Sequence, residues 1–171
     1  MPKNVEIKAR CQQIDQIRTI LENRQADFKG IDHQIDTYFN VPQGRMKLRE
    51  GNIENNLIHY LRSDQAGPKT STVTLYQSQP DSSLKILLAQ ALGVMTTVDK
   101  KRAIYYLKNV KFHLDEVEQL GNFVEIEAID TDGSISEATL LEQCQYYLDL
   151  FQIKAADLIE NSYSDLILQH G

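Results

Sequence analysis

Residues 3–10 read Lys3-Asn4-Val5-Glu6-Ile7-Lys8-Ala9-Arg10. In an extended chain Val5, Ile7 and Ala9 share one face, and Glu6, Lys8 and Arg10 share the other. A single strand of this kind is ordinary. Its recurrence is not. Lys47 and Arg49 stand two apart in a strand-like run near 45–50. Tyr60 and Arg62 do so near 56–63, and Lys69 and Ser71 open a run near 70–77. Lys100 and Arg102 follow in 94–107, His113 and Asp115 in 110–118, and Glu125 and Glu127 in the run Phe123 to Asp130. Spacing of two projects both members of a pair from one face of a strand.

The segments between these runs supply helices and turns. Residues 12–25 carry Ile14, Ile17, Ile20 and Leu21 at helical spacing. Pro80 and Asp81 open a helix to about Leu92, with Leu84, Leu87, Leu88 and Ala91 as its buried stripe. Ser134 with Glu137 has the form of a capping box for a helix to about Phe151, and a short helix or loop closes the chain through Tyr163 to Gln169. Another strand lies near 32–40, and Pro42-Gln43-Gly44 turns the chain into the next. The apolar strand faces suit packing under helices. The ionic faces must then look inward, which predicts an α+β fold: a closed eight-stranded antiparallel β-barrel, a tunnel, with helices packed outside. No linker or repeat divides residues 1–171, so a single domain is expected.

The inward set holds seven cations (Lys8, Lys47, Arg49, Arg62, Lys69, Lys100, Arg102) and four carboxylates (Glu6, Asp115, Glu125, Glu127), a balance of +3 within a chain of net charge −6. Confined like charges repel and lose hydration, a cost that a bound polyanion offsets. On this reasoning Arg49 and Arg102 destabilise the empty protein, and Arg49→Met leaves its stability unchanged or raises it. Guanidinium forks and ammonium groups suit phosphate oxygens. Paired carboxylates suit hard divalent cations such as Mg²⁺ or Mn²⁺. By the same logic Glu125→Gln removes metal-dependent activity and leaves the fold intact.

Composition narrows the classes. The chain of 171 residues is 42% hydrophobic and 25% charged, an ordinary globular balance. The acidic net charge argues against nucleic-acid and anionic-membrane binding. No apolar run reaches the roughly 18 residues of a membrane span, and the charged alternating N-terminus has no signal-peptide pattern. Cys11 and Cys144 are too few for a disulfide framework or a zinc site. A reduced, cytoplasmic protein is expected. His113 reads as an interior hydrogen-bonding residue, while His33, His59 and His170 show no metal-ligand spacing. Neither a Walker A nor a GxGxxG pattern occurs.

The ordered set resembles the CYTH superfamily, the triphosphate tunnel metalloenzymes, and within it the class IV adenylyl cyclase (CyaB-like) and thiamine triphosphatase branch. The resemblance runs through Val5-Glu6-Ile7-Lys8, Arg45-Met46-Lys47-Leu48-Arg49-Glu50, Tyr60-Leu61-Arg62, Gly67-Pro68-Lys69 and Lys100-Lys101-Arg102. It continues through His113-Leu114-Asp115-Glu116-Val117 and Leu120-Gly121-Asn122-Phe123-Val124-Glu125-Ile126-Glu127 to Ser162-Tyr163-Ser164-Asp165. It implies a triphosphate substrate and Mg²⁺ or Mn²⁺. Glu6, Asp115, Glu125 and Glu127 would hold metal, and Lys8, Lys47, Arg49, Arg62, Lys69, Lys100 and Arg102 would hold phosphate. Glu6, Glu125, Glu127 and Lys8 would be catalytic. The family signature begins Glu-x-Glu-x-Lys; here Asn4 replaces its first Glu, removing one negative charge from the metal site.

Three activities remain open at this level. Cyclisation of ATP to cyclic AMP and pyrophosphate leads. Hydrolysis of thiamine triphosphate, tripolyphosphate or a nucleoside triphosphate uses the same clamp. Non-catalytic triphosphate or polyphosphate binding is the third. A homodimer is left open, since nothing in the sequence marks a dimer face.

Overall fold

Strict alternation along eight segments builds a sheet whose two faces differ in chemistry. The computed structural model describes residues 3–61 and 67–170. In chain order the elements are β1 (Lys3–Arg10), α1 (Ile14–Asn23), β2 (Asp27–Phe39), β3 (Arg45–Glu50), β4 (Asn55–Leu61), β5 (Lys69–Gln77), α2 (Leu84–Leu92), β6 (Val94–Leu107), β7 (Val110–Val117), β8 (Gly121–Asp130), α3 (Glu137–Leu150), a 3₁₀ turn (Ala155–Asp157) and α4 (Tyr163–His170). All strand pairings are antiparallel, in the order β1-β5-β4-β3-β2-β6-β7-β8 with β8 returning to β1.

The outer face forms the main core. Val5, Ile7 and Ala9 of β1, Val110, Phe112 and Leu114 of β7, and Val124, Ile126 and Ala128 of β8 pack with Ile14, Ile17 and Leu21 of α1 and Leu140, Cys144 and Leu148 of α3. Fully burying one such side chain stabilises by about 1.5–3 kcal/mol. Phe112 also meets Tyr147 edge-on, with ring centroids 4.8 Å apart. Cys11 and Cys144 are buried free thiols, serving as small core residues.

The strands pair all the way round, but the β1–β5 seam is short, so the expected barrel is only partly closed. β1 pairs with β8 along its whole length but with β5 only at Asn4, Val5 and Glu6, opposite Ser71, Thr70 and Lys69. Among the described residues β5 starts at Lys69, and none before it pairs with the second half of β1. The C-terminal segment takes up part of that edge: Ile159 N–H donates to the Lys8 carbonyl at 2.9 Å, and Leu158 bridges Ala9. β5 meanwhile stays exposed from Thr72 to Gln77.

One end of the curled sheet is plugged. The inward residues Tyr38, Val98, Val117 and Phe123 form a second apolar cluster with Tyr163 of α4. The Phe123 and Tyr163 rings lie 5.0 Å apart, and Arg45 ties β3 to the same helix through Asp165 at 3.0 Å.

Three local readings change. β2 begins at Asp27 rather than near residue 32, because the long β6 gives Asp27 and Phe28 partners in Tyr106 and Tyr105. A register shift at Gly30, at φ +115°, accommodates that extension. The α3 N-cap is Ser136, whose hydroxyl accepts from Thr139 N–H at 3.1 Å, and not Ser134. In α2, Leu84 and Leu88 are only half-buried, and Leu87 and Ala91 are exposed. An apolar stripe marks one side of a helix without supplying a partner for it. The Pro42-Gln43-Gly44 turn stands: Gly44 sits at φ +68°, where a Cβ would lie 2.5 Å from the Tyr60 carbonyl oxygen.

Candidate functional site

The inward positions of β1, β3, β6, β7 and β8 meet in one cavity. It is bordered by Asn4, Glu6 and Lys8, by Lys47 and Arg49, by Arg102, by Lys111 and His113, and by Glu125 and Glu127. Lys100 lies behind this lining, fully buried. Arg62 and the Lys69 side chain lie outside the described residues; the Lys69 backbone pairs opposite Glu6.

Three carboxylate centres, two of them fully buried, organise the cations. Asp36 of β2 accepts from Arg49 Nε and Nη2 at 2.9 Å each and from Lys100 Nζ at 2.6 Å, with Lys47 Nζ 3.5 Å away. Asp115 accepts from Arg102 Nε and Nη2 at 2.8 Å each, and the Tyr163 hydroxyl donates to it at 2.7 Å. Glu125 takes a further bond from Arg102 Nη2 at 2.9 Å. The third centre, Glu54, accepts from Lys111 Nζ at 2.6 Å and from Gln34 at 3.1 Å, and lies 3.7 Å from Arg49 Nη1. Each guanidinium thus spends its Nε–Nη2 edge on a buried aspartate, which fixes the plane of the fork.

Burial alone would raise these carboxyl groups. For Asp36 the neighbouring Arg49, Lys100 and Lys47 outweigh burial and hold it well below the usual carboxylate range. For Glu125, Lys8 and Arg102 do the same. Lys8 is pulled below its ordinary value by burial, with Glu125 opposing and Lys47 adding to the fall. Its ammonium sits 3.7 Å above the Tyr163 ring. Burial lowers Lys100 likewise, with Asp36 opposing and Arg49, Arg102 and Lys47 adding to the fall.

These pairings bear on two expectations. The described inward cations Lys8, Lys47, Arg49, Lys100, Arg102 and Lys111 face the carboxylates Glu6, Asp36, Glu54, Asp115, Glu125 and Glu127. The described lining is balanced rather than strongly basic, so Arg49 and Arg102 are paired groups and not liabilities of the empty protein. Asp115, expected as a metal ligand, has both oxygens bound by Arg102 and one of them also by Tyr163. These bonds fix the plane of the Arg102 fork.

Asp36, Glu54 and Lys111 escape the sequence reading, and Tyr163 enters it only within the closing segment and the resemblance, without a role. Asp36 and Lys111 carry a readable signal, the two-residue spacing of Asp32, Gln34 and Asp36 and of Lys111, His113 and Asp115. Glu54 carries none. It sits in the β3–β4 loop, which Asp32 anchors by accepting from Ile53 and Glu54 N–H at 2.9 Å each.

Lys111, then His113 and Arg49, overcome burial and bring Glu54 down to about 2. Its folded value is depressed, so the stability it contributes is complete above its ordinary value of 4.5 and is lost as pH falls toward about 2. The loss is roughly 3 kcal/mol across that window. Denaturant unfolding at a series of acid pH values should show this slope, and Glu54→Gln should flatten it.

The family resemblance implies a divalent cation, and the donors at one end of β1 fit one. Glu6 stands directly opposite Glu127 on β8. Like charges so placed repel unless a cation lies between them. Asn4 Oδ1, on the same face, is buried without a hydrogen-bond partner. Among the described residues no three His, Cys, Asp or Glu groups are already close enough to enclose an ion. Glu125 is already engaged by Arg102 at 2.9 Å.

No helix among the described residues is long and apolar enough to cross a membrane. No curated protein sequence matches this chain. Among solved structures, the PH1012 protein of Pyrococcus horikoshii superposes with a TM-score of 0.80 at 25% identity, covering 95% of this chain and 98% of that one. A candidate adenylate cyclase of Vibrio parahaemolyticus gives 0.73 at 20% identity, covering 96% and 97%. A candidate adenylyl cyclase of Hippeastrum, described as having a dominant triphosphatase activity, gives 0.63 at 12% identity over 98% and 94%. The CYTH domain profile matches residues 2–163, nearly the whole chain. With the tunnel-facing pairs of Lys, Arg and Glu in their places, this chain belongs to the CYTH domain family.

Proposed function

We propose that this protein binds the triphosphate of a small molecule in the curled sheet and cleaves it with Mg²⁺ or Mn²⁺, in an adenylyl cyclase-like conversion of ATP to cyclic AMP and pyrophosphate. One observation carries the reading: Lys8, Lys47, Arg49 and Arg102 converge from three strands on one plugged cavity. Lys69, Lys100 and Arg62 are assigned to the same phosphate-binding set.

The direction of the cavity favours cleavage near the organic end. Lys8 packs on Tyr163 of the plug, whereas Asn4 lies four residues back along β1, roughly 13 Å away. The β- and γ-phosphates would lie toward Lys8 and Arg102. The α-phosphate would lie toward Asn4, Glu6 and Glu127, which would hold the cation. A bound divalent ion supplies charge neutralisation on the phosphate oxygens. Arg49 and Arg102, held rigid by Asp36 and Asp115, orient the chain and stabilise charge on departing pyrophosphate. Attack of the ribose 3′ oxygen on the α-phosphorus forms one P–O bond, breaks the bond to pyrophosphate and releases a proton.

Hydrolysis of a terminal phosphate would use the same cations. Incubation with ATP, thiamine triphosphate and tripolyphosphate, in Mg²⁺ and in Mn²⁺, separates the readings by product. Cyclic AMP with equimolar pyrophosphate is the expected result. Orthophosphate alone would replace the cyclase reading with a triphosphatase one. No product from any substrate would leave a binding module.

A further inference from the structure

The cavity wall is not ionic all round. On β4 and β5 the apolar residues of the lining are Ile58, Tyr60, Val73 and Leu75, with Asn56 at the end of the row. Tyr60 stands directly opposite Val73, and Ile58 directly opposite Leu75, so the four form one continuous apolar panel. Adjacent strands and two-residue steps make it about 5 by 7 Å between Cα positions, the size of a flat ring system. It begins one strand from the clamp, since Ile58 lies opposite Lys47 on β3. Ile58 and Tyr60 are largely covered, but Val73 is 38% and Leu75 56% exposed.

Inorganic tripolyphosphate has no use for such a panel, because every part of it is anionic. Apolar side chains left open in a tunnel gain when an apolar ligand surface covers them. We infer that the β4–β5 panel is the seat of a flat, heteroaromatic organic group, making the ligand of this site a triphosphate ester rather than an inorganic polyphosphate. This rests on the triphosphate reading above and narrows it. Leu75, Val73 and Ile58 are specificity residues: they discriminate between ligands sharing the same phosphate chain.

The test is calorimetric, with Mg²⁺ present. The probes are tripolyphosphate, methylene-bridged analogues of adenosine, guanosine and cytidine triphosphate, and thiamine triphosphate. Tripolyphosphate carries the higher charge, so any preference for an ester cannot come from electrostatics. Wild type should bind at least one ester about tenfold more tightly than tripolyphosphate, and Leu75→Asn and Val73→Asn should each cut that ratio by about tenfold. Leu75 lies largely outside the packed core, and an unchanged melting temperature confirms that its variant folds. Tripolyphosphate binding as tightly as every ester, or a ratio untouched by both substitutions, overturns the inference and leaves the triphosphate site standing. Failure of tripolyphosphate and every ester to bind wild type overturns the triphosphate reading itself.

Discussion

Arg102→Met is expected to cost about 3–5 kcal/mol of folding stability in the ligand-free protein, the usual penalty for stranding buried charge. Arg102 is 3% exposed and holds two carboxylates, Asp115 at 0% and Glu125 at 8%. Without the guanidinium, the Tyr163 hydroxyl is the one remaining donor to Asp115 among the described residues. For a domain of this size the melting temperature should fall by roughly 6–20 °C. The sequence alone predicts the opposite sign, by counting inward cations without the buried aspartates that meet them. Arg49→Met should also destabilise, but by less, since Lys100 remains on Asp36 at 2.6 Å. Thermal and urea melts of the two variants without ligand give the comparison. A melting temperature equal to or above wild type for Arg102→Met would mean that this network does not support the fold.

The second large effect concerns Glu127. Glu127→Gln should lower metal-dependent turnover by about 10²–10³-fold, the loss of several kcal/mol of charge stabilisation. Folding stability should hold or rise, because the substitution relieves repulsion with the directly opposed Glu6. Glu125→Gln should behave differently. It removes an acceptor of Arg102, so activity and stability should fall together. The sequence reading treats both glutamates as metal ligands, and the two variants separate their roles. Turnover of Glu127→Gln equal to wild type across a titration of Mg²⁺ and Mn²⁺ would exclude Glu127 from the metal site.

Much of the site is legible because a strand is a ruler. Lys47 and Arg49, Lys100 and Arg102, and Glu125 and Glu127 each stand two apart, and a strand turns that spacing into a shared direction whatever its neighbours. The outward apolar core follows from the same period. What spacing does not carry is pairing between side chains of different strands. Asp36 meets Arg49 because those two residues are opposite in register, a fact of topology and not of local sequence. Glu54 reaches Lys111 from a loop, and Tyr163 reaches Asp115 from the far end of the chain. The exposed α2 helix fails for the converse reason: its period is clear, but no sheet face lies beneath all of it. Seam closure depends on where β5 starts relative to β1, and alternation alone is silent about that offset.

The central claim is that the plugged cavity grips a triphosphate. The most direct measurement is the melting temperature of the wild-type protein with and without tripolyphosphate and Mg²⁺. A ligand that binds only the folded state stabilises it by about 2.7 kcal/mol at a hundredfold excess over Kd. The melting temperature should therefore rise by roughly 5–10 °C at saturating tripolyphosphate. No shift at millimolar tripolyphosphate, with or without Mg²⁺, would contradict the account in both its cyclase and its hydrolase forms.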